Sequence, residues 1–346
     1  MDYPPKDPYL LQTVLQRVSR SFYLTLAVLP EAVRSQVGLA YLFARAADTI
    51  ADTGDLDEQT RVHSLQQLKA QFTSERVHGA EIQYLQAQIV PAQNNPAERQ
   101  LLEELSRCFT FYERLSNEDQ HLIAQLLPTI IEGMEFDLVQ FPHHDGLTAT
   151  ALPSEKELDD YTYAVAGCVG EFWTKMMCVH LPAMARWDVS VMVPIGIRYG
   201  KGLQLVNILK DISKDLRIGR CYIPESLLSQ AGLQAQDLFH PDNFTRFRPV
   251  LRQLIAKALD HLDHGWQYTM AIPRSEVRLR LACMWPILIG LRTLQQLSVS
   301  DKLLDPHVSV KVSRGEVYRM MAATTFTGGC GTVGTAYWGY LRKRVM

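Results

Sequence analysis

Five oxygen-bearing side chains fall into two sets far apart in the chain. Asp48 and Asp52 bound the segment Asp48-Thr49-Ile50-Ala51-Asp52, while Asn207, Asp211 and Asp215 punctuate Asn207-Ile208-Leu209-Lys210-Asp211-Ile212-Ser213-Lys214-Asp215. Spacing of four puts each set on one helical face, one turn apart. Both sets close an apolar helical run, where the negative end of the helix dipole repels added carboxylates. Such stacking is costly unless a cation or a polar network compensates. Hard divalent ions suit it, held by a few carboxylates with phosphate oxygens completing the shell. Asp-x-x-x-Asp also arises by chance about once in a chain of this size. A third copy, Asp301-Lys302-Leu303-Leu304-Asp305, runs straight into Pro306 and reads as a solvated helix end. The neighbours must therefore decide.

Arg45 precedes Asp48 by three residues and Tyr41 lies one turn earlier, on the same face. An Arg there either neutralises the acids or grips phosphate bidentately. In the second set Gln204, Asn207, Asp211 and Asp215 form one polar stripe, with Leu205, Ile208, Leu209 and Ile212 opposite. A stripe with amides is more like a cavity lining than a solvent face, which usually alternates Lys and Glu. Ser19-Arg20-Ser21-Phe22-Tyr23 precedes a helical stretch and reads either as an anion site or as an N-cap beside a surface Arg. Tyr161 to Gly170 mixes small with apolar residues, admitting a ligand or another helix backbone at close range. Two motifs are decoys. Gly329 to Gly334 fits G-x-G-x-x-G but has no preceding strand and too little chain after it. His261 and His264 share a helix without a further ligand set and read as helix surface.

The elements that must position these residues are helices. Apolar residues recur at helical spacing nearly throughout, as in Leu122, Ile123, Leu126, Leu127, Ile130, Ile131 and Met134, and no long alternating pattern argues for strands. Breaks are short and carry Pro or Gly, at 91–96, 142–146 and 219–224. The expectation is an all-α chain, one domain over 1–346 of about ten helices, with a loosely packed tail at 322–346. The chain is 47% hydrophobic with a net charge of −2, so nothing argues for nucleic acid as a partner. Six scattered cysteines without Cys-x-x-Cys and an N-terminus without a signal-like stretch point to a reduced, cytoplasmic setting. The uncharged 322–340 stretch is too rich in Gly and Thr to span a membrane convincingly, leaving burial or contact with a membrane surface.

Four segments in order, Ser19 to Phe22, Tyr41 to Asp52, Tyr161 to Gly170 and Gln204 to Pro224, resemble the squalene/phytoene synthase family of head-to-head prenyltransferases across essentially the whole chain. The resemblance implies the isoprenoid synthase fold and two prenyl diphosphates as substrates. It implies that Asp48, Asp52, Asn207, Asp211 and Asp215 hold Mg2+, or Mn2+, on the diphosphates. It implies that Ser19, Arg20, Ser21, Phe22, Arg45, Gln204, Lys210 and Arg220 contact substrate, and that Tyr41 and Tyr161 steer a proton or stabilise a cation.

The chain also departs from the family pattern. Ala51 and Lys214 stand where many relatives have Glu, and Lys210 stands where they have Arg. Within the family, Val310 to Gly315 resembles the basic segment near a nicotinamide cofactor, so Lys311 and Arg314 are expected to bind NADPH. That favours two farnesyl diphosphates giving squalene through presqualene diphosphate, over the reductant-free routes to dehydrosqualene or phytoene. Surviving acids in both motifs argue against a non-catalytic assembly protein, and the Tyr161 segment argues against a terpene cyclase. The sequence leaves open how the product departs, with contact at a membrane surface as one route.

Overall fold

The computed structural model describes residues 6–19, 22–74, 76–141, 148–326 and 331–345, with backbone only at 22 and 331–333. A π-helical turn, Tyr9–Val14, leads into α1 (Leu15–Ser19), α2 (Phe22–Val28), α3 (Glu31–Asp52), α4 (Glu58–Thr73), α5 (Gly79–Ile89), α6 (Pro96–Glu103), α7 (Leu105–Tyr112) and α8 (Asn117–Gln140). Then come β1 (Thr150–Leu152), α9 (Glu155–Thr162), a second π turn (Tyr163–Gly167), α10 (Cys168–His180), α11 (Val189–Arg217) and β2 (Arg220–Pro224). The chain closes with α12 (Glu225–Gln230), α13 (Phe244–Ala271), α14 (Val277–Val299), α15 (Arg314–Phe326) and α16 (Gly331–Arg342). The all-α class holds, divided more finely than about ten helices. Caps explain several starts: Asp57, Asn95 and Ser154 accept backbone N–H groups at the heads of α4, α6 and α9.

Two compact units result. Residues 1–138 with 172–189 form one, and 139–171 with 190–346 form the other. In the first, α3, α4 and α7 share an aromatic cluster, with Phe43 centred 5.0 Å from Phe72 and 4.7 Å from Phe109. A polar triad built on buried Gln36 and Asp119 fixes the rotation of α3. Gln36, wholly buried, donates to Asp119 at 3.2 Å, and His180 lies 2.5 Å from the other oxygen of that carboxylate. The acid therefore has both oxygens satisfied, as burial requires.

In the second unit α13 and α14 pair along their lengths. Tyr199 of α11 packs its ring against Gly265 of α13 and donates to the Cys283 carbonyl at 2.7 Å. β1 and β2 form a short parallel pair, Thr150 beside Arg220 and Ala151 beside Cys221, which the helical reading did not anticipate. The Asp301 to Asp305 copy lies in turns beyond α14 rather than at a helix end, with Leu303 and Leu304 buried. The last helix, expected as a loose tail, stacks Trp338 on Trp266 at 5.6 Å and clamps Arg342 onto Asp263 at 2.7 Å. No helix among the described residues is long and apolar enough to cross a membrane.

Candidate active site

In the first unit, α3 carries Tyr41, Arg45, Asp48 and Asp52 along its C-terminal half. Arg45 pairs with Asp48 and also with Glu98 in the first turn of α6. Burial opposes its charge, but Asp48, then Glu98 and Tyr41, outweigh it and raise the guanidinium pKa. Its Nε is buried without a hydrogen-bond partner among the described residues. The end of α3 is held by cationic and polar groups rather than left to the dipole. Buried Arg61 donates to the Ala51 carbonyl at 2.9 Å, and Gln93 donates to Thr53 at 3.2 Å. Sequence reasoning missed Glu98 and Arg61 because neither is near Arg45 or Asp48 in the chain.

In the second unit, α11 carries the polar stripe. Leu205, Ile208, Leu209 and Ile212 are buried, Asn207 is exposed, and Gln204, Asp211 and Asp215 are half-buried. Asp211 is held by its own neighbours: Lys214 donates to Oδ1, and Lys210 lies 3.0 Å from Oδ2. Burial raises the acid's pKa, but the Lys214 hydrogen bond and the Lys210 charge win, so it lies below the usual carboxylate range. Gly219, at φ 81°, turns the chain out of α11 in the left-handed region that favours glycine, and its carbonyl accepts from Thr150 at 3.0 Å. That turn delivers Arg220 at the head of β2.

β2 also carries Tyr222, a third residue that the sequence reading missed. The run Cys221-Tyr222-Ile223 between Gly219 and Pro224 was the available strand signal. Its ring stacks on Tyr161 at 4.8 Å and 22°, with the hydroxyls 3.3 Å apart, and Phe141 meets it edge-on at 5.1 Å. Tyr161 is 7% exposed. A hydroxyl pair in an apolar setting can pass or polarise a proton.

The small residues after Tyr161 serve packing. A Cβ on Gly170 would fall 1.9 Å from the Gly196 carbonyl oxygen, and one on Gly200 would fall 2.1 Å from that of Ala166. Residues 166–170 and α11 thus meet backbone to backbone, so the close neighbour of this segment is a helix.

Ser19 is buried and donates its hydroxyl to the Leu15 carbonyl at 2.5 Å, while Arg20, Ser21 and the Phe22 side chain lie outside the described residues. Lys311 and Arg314 are exposed at the start of α15, whose first turn Ser313 caps at 3.2 Å. Cations beside a helix N-terminus are an arrangement suited to phosphate. His261 corrects the helix-surface reading. It is buried, and burial, followed by the Arg198 charge, pushes its pKa down to about 4. Arg198 contacts both imidazoles, at 3.3 Å and 2.8 Å, so a cation already occupies that pair.

Among the described residues no three His, Cys, Asp or Glu side chains gather into a ready metal site. The donor chemistry still suits a hard divalent ion, being carboxylate and amide oxygen. In each motif a cationic side chain already sits on an acid: Arg45 on Asp48, Lys210 and Lys214 on Asp211. These are positions that attract positive charge.

Comparison with known proteins matches far more of the chain than these motifs. The squalene/phytoene synthase family model matches residues 15–316. A squalene synthase of Eremothecium gossypii is 26% identical over 344 residues, covering 96% of this chain and 71% of that protein. A bifunctional lycopene cyclase/phytoene synthase of Neurospora crassa is 30% identical over 255 residues, covering 71% of this chain and 40% of that protein. In fold, the chain is similar to TcSQS solved with the ligand BPH1237, at a TM-score of 0.74 and 20% identity over 98% of each chain.

Proposed function

Since the chain belongs to the squalene/phytoene synthase family and is therefore a prenyltransferase-type enzyme of isoprenoid biosynthesis, we propose that it is a squalene synthase. It joins two farnesyl diphosphates head to head into presqualene diphosphate and reduces that intermediate to squalene with NADPH. Mg2+, with Mn2+ as substitute, would be held by Asp48, Asp52, Asn207, Asp211 and Asp215 with the diphosphates. When bound, the ion supplies charge that offsets the departing diphosphate. NADPH would supply the closing hydride.

The chain's own groups account for the rest. Arg45 and Arg220 grip diphosphate oxygens, with Gln204 and Lys210 beside them, and Ser19, Arg20, Ser21 and Phe22 complete the contacts. The second farnesyl double bond attacks the allylic cation, and loss of a proton closes the cyclopropane. Tyr41 is the nearer hydroxyl to the first motif in sequence. Tyr161, backed by Tyr222 at 3.3 Å, is the group we assign to steering that proton or steadying the cation.

The observation that carries the squalene assignment is the exposed pair Lys311 and Arg314 at the capped start of α15, a cationic segment without a task in a reductant-free enzyme. Coverage of 96% by a squalene synthase supports it. The second reading, dehydrosqualene or phytoene synthase, draws on the 30% identity to a phytoene synthase-containing protein. Location in the cytoplasm, with contact at a membrane surface for product release, belongs to the proposal.

The test uses purified protein with farnesyl diphosphate and Mg2+, with and without NADPH. Presqualene diphosphate should form without reductant and pass to squalene with it. Lys311→Ala with Arg314→Ala should raise the NADPH requirement while sparing the first half-reaction. Phytoene from C20 substrate, or one product profile with and without NADPH, would move the enzyme to the carotenoid branch.

A further inference from the structure

We propose that Lys210 and Lys214 are resident cations of the second acidic motif. They hold its oxygens while no metal is bound, and they give way when a diphosphate arrives to receive them. The inference rests on the proposed reading of Asn207, Asp211 and Asp215 as metal ligands.

The geometry is specific. Lys214 sits on Asp211 Oδ1, and Lys210 lies 3.0 Å from Asp211 Oδ2 and 3.4 Å from Asn207 Oδ1. Both oxygens of the carboxylate and the amide oxygen one turn earlier therefore face an ammonium. Helical spacing permits this: Lys210 follows Asn207 by three residues, and Lys214 follows Asp211 by three. An ammonium and a divalent ion seek the same lone pairs, and holding both at once brings like charges within a few ångströms.

The two motifs differ in how easily the resident cation leaves. Arg45 is anchored by Glu98 as well as Asp48, with its side chain 22% exposed. The Lys214 side chain is 52% exposed, and its flexible stem can carry a point charge from carboxylate to phosphate. The second motif is thus self-neutralised without substrate, and its metal affinity is coupled to diphosphate. The lysines that depart from the family pattern set the order in which substrate and ion bind.

The test is a titration of the full chain with Mn2+, followed by electron paramagnetic resonance, with and without inorganic pyrophosphate. Asp211→Asn measures binding that belongs elsewhere. Lys214→Met, alone and with Lys210→Met, keeps the stems and removes the charges. Without pyrophosphate these variants should bind Mn2+ about 10-fold tighter than the unaltered protein, the scale of removing one adjacent partly screened charge. Pyrophosphate should then tighten their binding less than it tightens that of the unaltered protein. Lys214→Arg should behave like the parent. Circular dichroism and melting curves show that each variant is folded. Equal Mn2+ affinity of parent and both Met variants without pyrophosphate overturns the inference while leaving the metal site standing. Mn2+ binding that is unchanged by Asp211→Asn, even with pyrophosphate, overturns the metal-ligand reading itself.

Discussion

Replacing Gly170 with Ala tests the backbone-to-backbone contact that seats α11. The added Cβ would lie 1.9 Å from the Gly196 carbonyl oxygen and 2.4 Å from its carbon. No rotamer change relieves a clash between a Cβ and a backbone. Ordinary contact begins near 3.4 Å, so the two segments must part by about 1.5 Å, and close packing transmits that strain. Overpacking of this kind costs about 1–3 kcal/mol and sometimes more, against a gain of about 0.5–1 kcal/mol from replacing a helical Gly. A clash this deep belongs at the upper end, so we expect a net loss of about 2 kcal/mol. At roughly 2.1 cal/mol/K per residue that loss lowers the melting midpoint by about 3 °C. Gly339→Ala is the control: it lies inside α16 with nothing within 4 Å of an added Cβ, and it should raise the midpoint slightly. Because α11 carries Gln204 to Asp215, a shift near 1 Å should also cut turnover by up to about 100-fold. Gly200→Ala opens the same seam from the other side, so the double variant should cost less than the two singles added. Calorimetry and steady-state turnover decide. A Gly170→Ala protein that melts at or above the parent, with parental turnover, would refute the contact.

Three further outcomes are expected. Asp48→Asn and Asp211→Asn should each nearly abolish turnover in a folded protein, whereas Asp301→Asn, in turns after α14, should leave it unchanged; equal damage from Asp301→Asn would sink the two-motif assignment. Asp211→Asn should also lose some stability, since it strips two ammonium groups of their charged partner, and a melting curve reads this directly. Tyr161→Phe should keep substrate affinity and slow a later step by about 10- to 1000-fold, and Tyr222→Phe should give a smaller effect in the same step; an unaltered rate for Tyr161→Phe makes it a wall residue. His261, with its pKa depressed from 6.5 to about 4, binds fewer protons folded than unfolded between those values, so its share of stability is complete above pH 6.5 and lost as pH falls toward 4. A His261→Gln variant should flatten that part of the stability–pH curve, and an unchanged slope would discount the burial argument.

What was legible in the sequence was whatever a single helix expresses. The period of Leu122 to Ile131 survives as the buried face of α8, and the stripe from Gln204 to Asp215 stands opposite buried Leu205, Ile208, Leu209 and Ile212. Partners across the chain were not legible. Nothing beside Arg45 announces Glu98, fifty-three residues on, and nothing beside Asp119 announces His180. The small residues after Tyr161 pointed to a close approach by a ligand or a backbone, but only the structure names Gly196 as what approaches. Lys214 was visible as a departure from the family pattern. Its meaning came from seeing which carboxylate oxygen it occupies, since three residues along a helix allow a contact without requiring one.

The stacked pair Trp266 and Trp338, 5.6 Å apart and 10° from parallel, makes the end of the chain optically visible. Two indoles that close couple their electronic transitions, and the chain has only five tryptophans. The resulting circular-dichroism couplet requires both rings in place. It therefore reports whether α16 is seated on α13, without any label. Release of Arg342 from Asp263, by salt or substitution, would be read as the fading of that couplet while the helical signal stays. The enzyme carries its own lamp for the movement of its last helix.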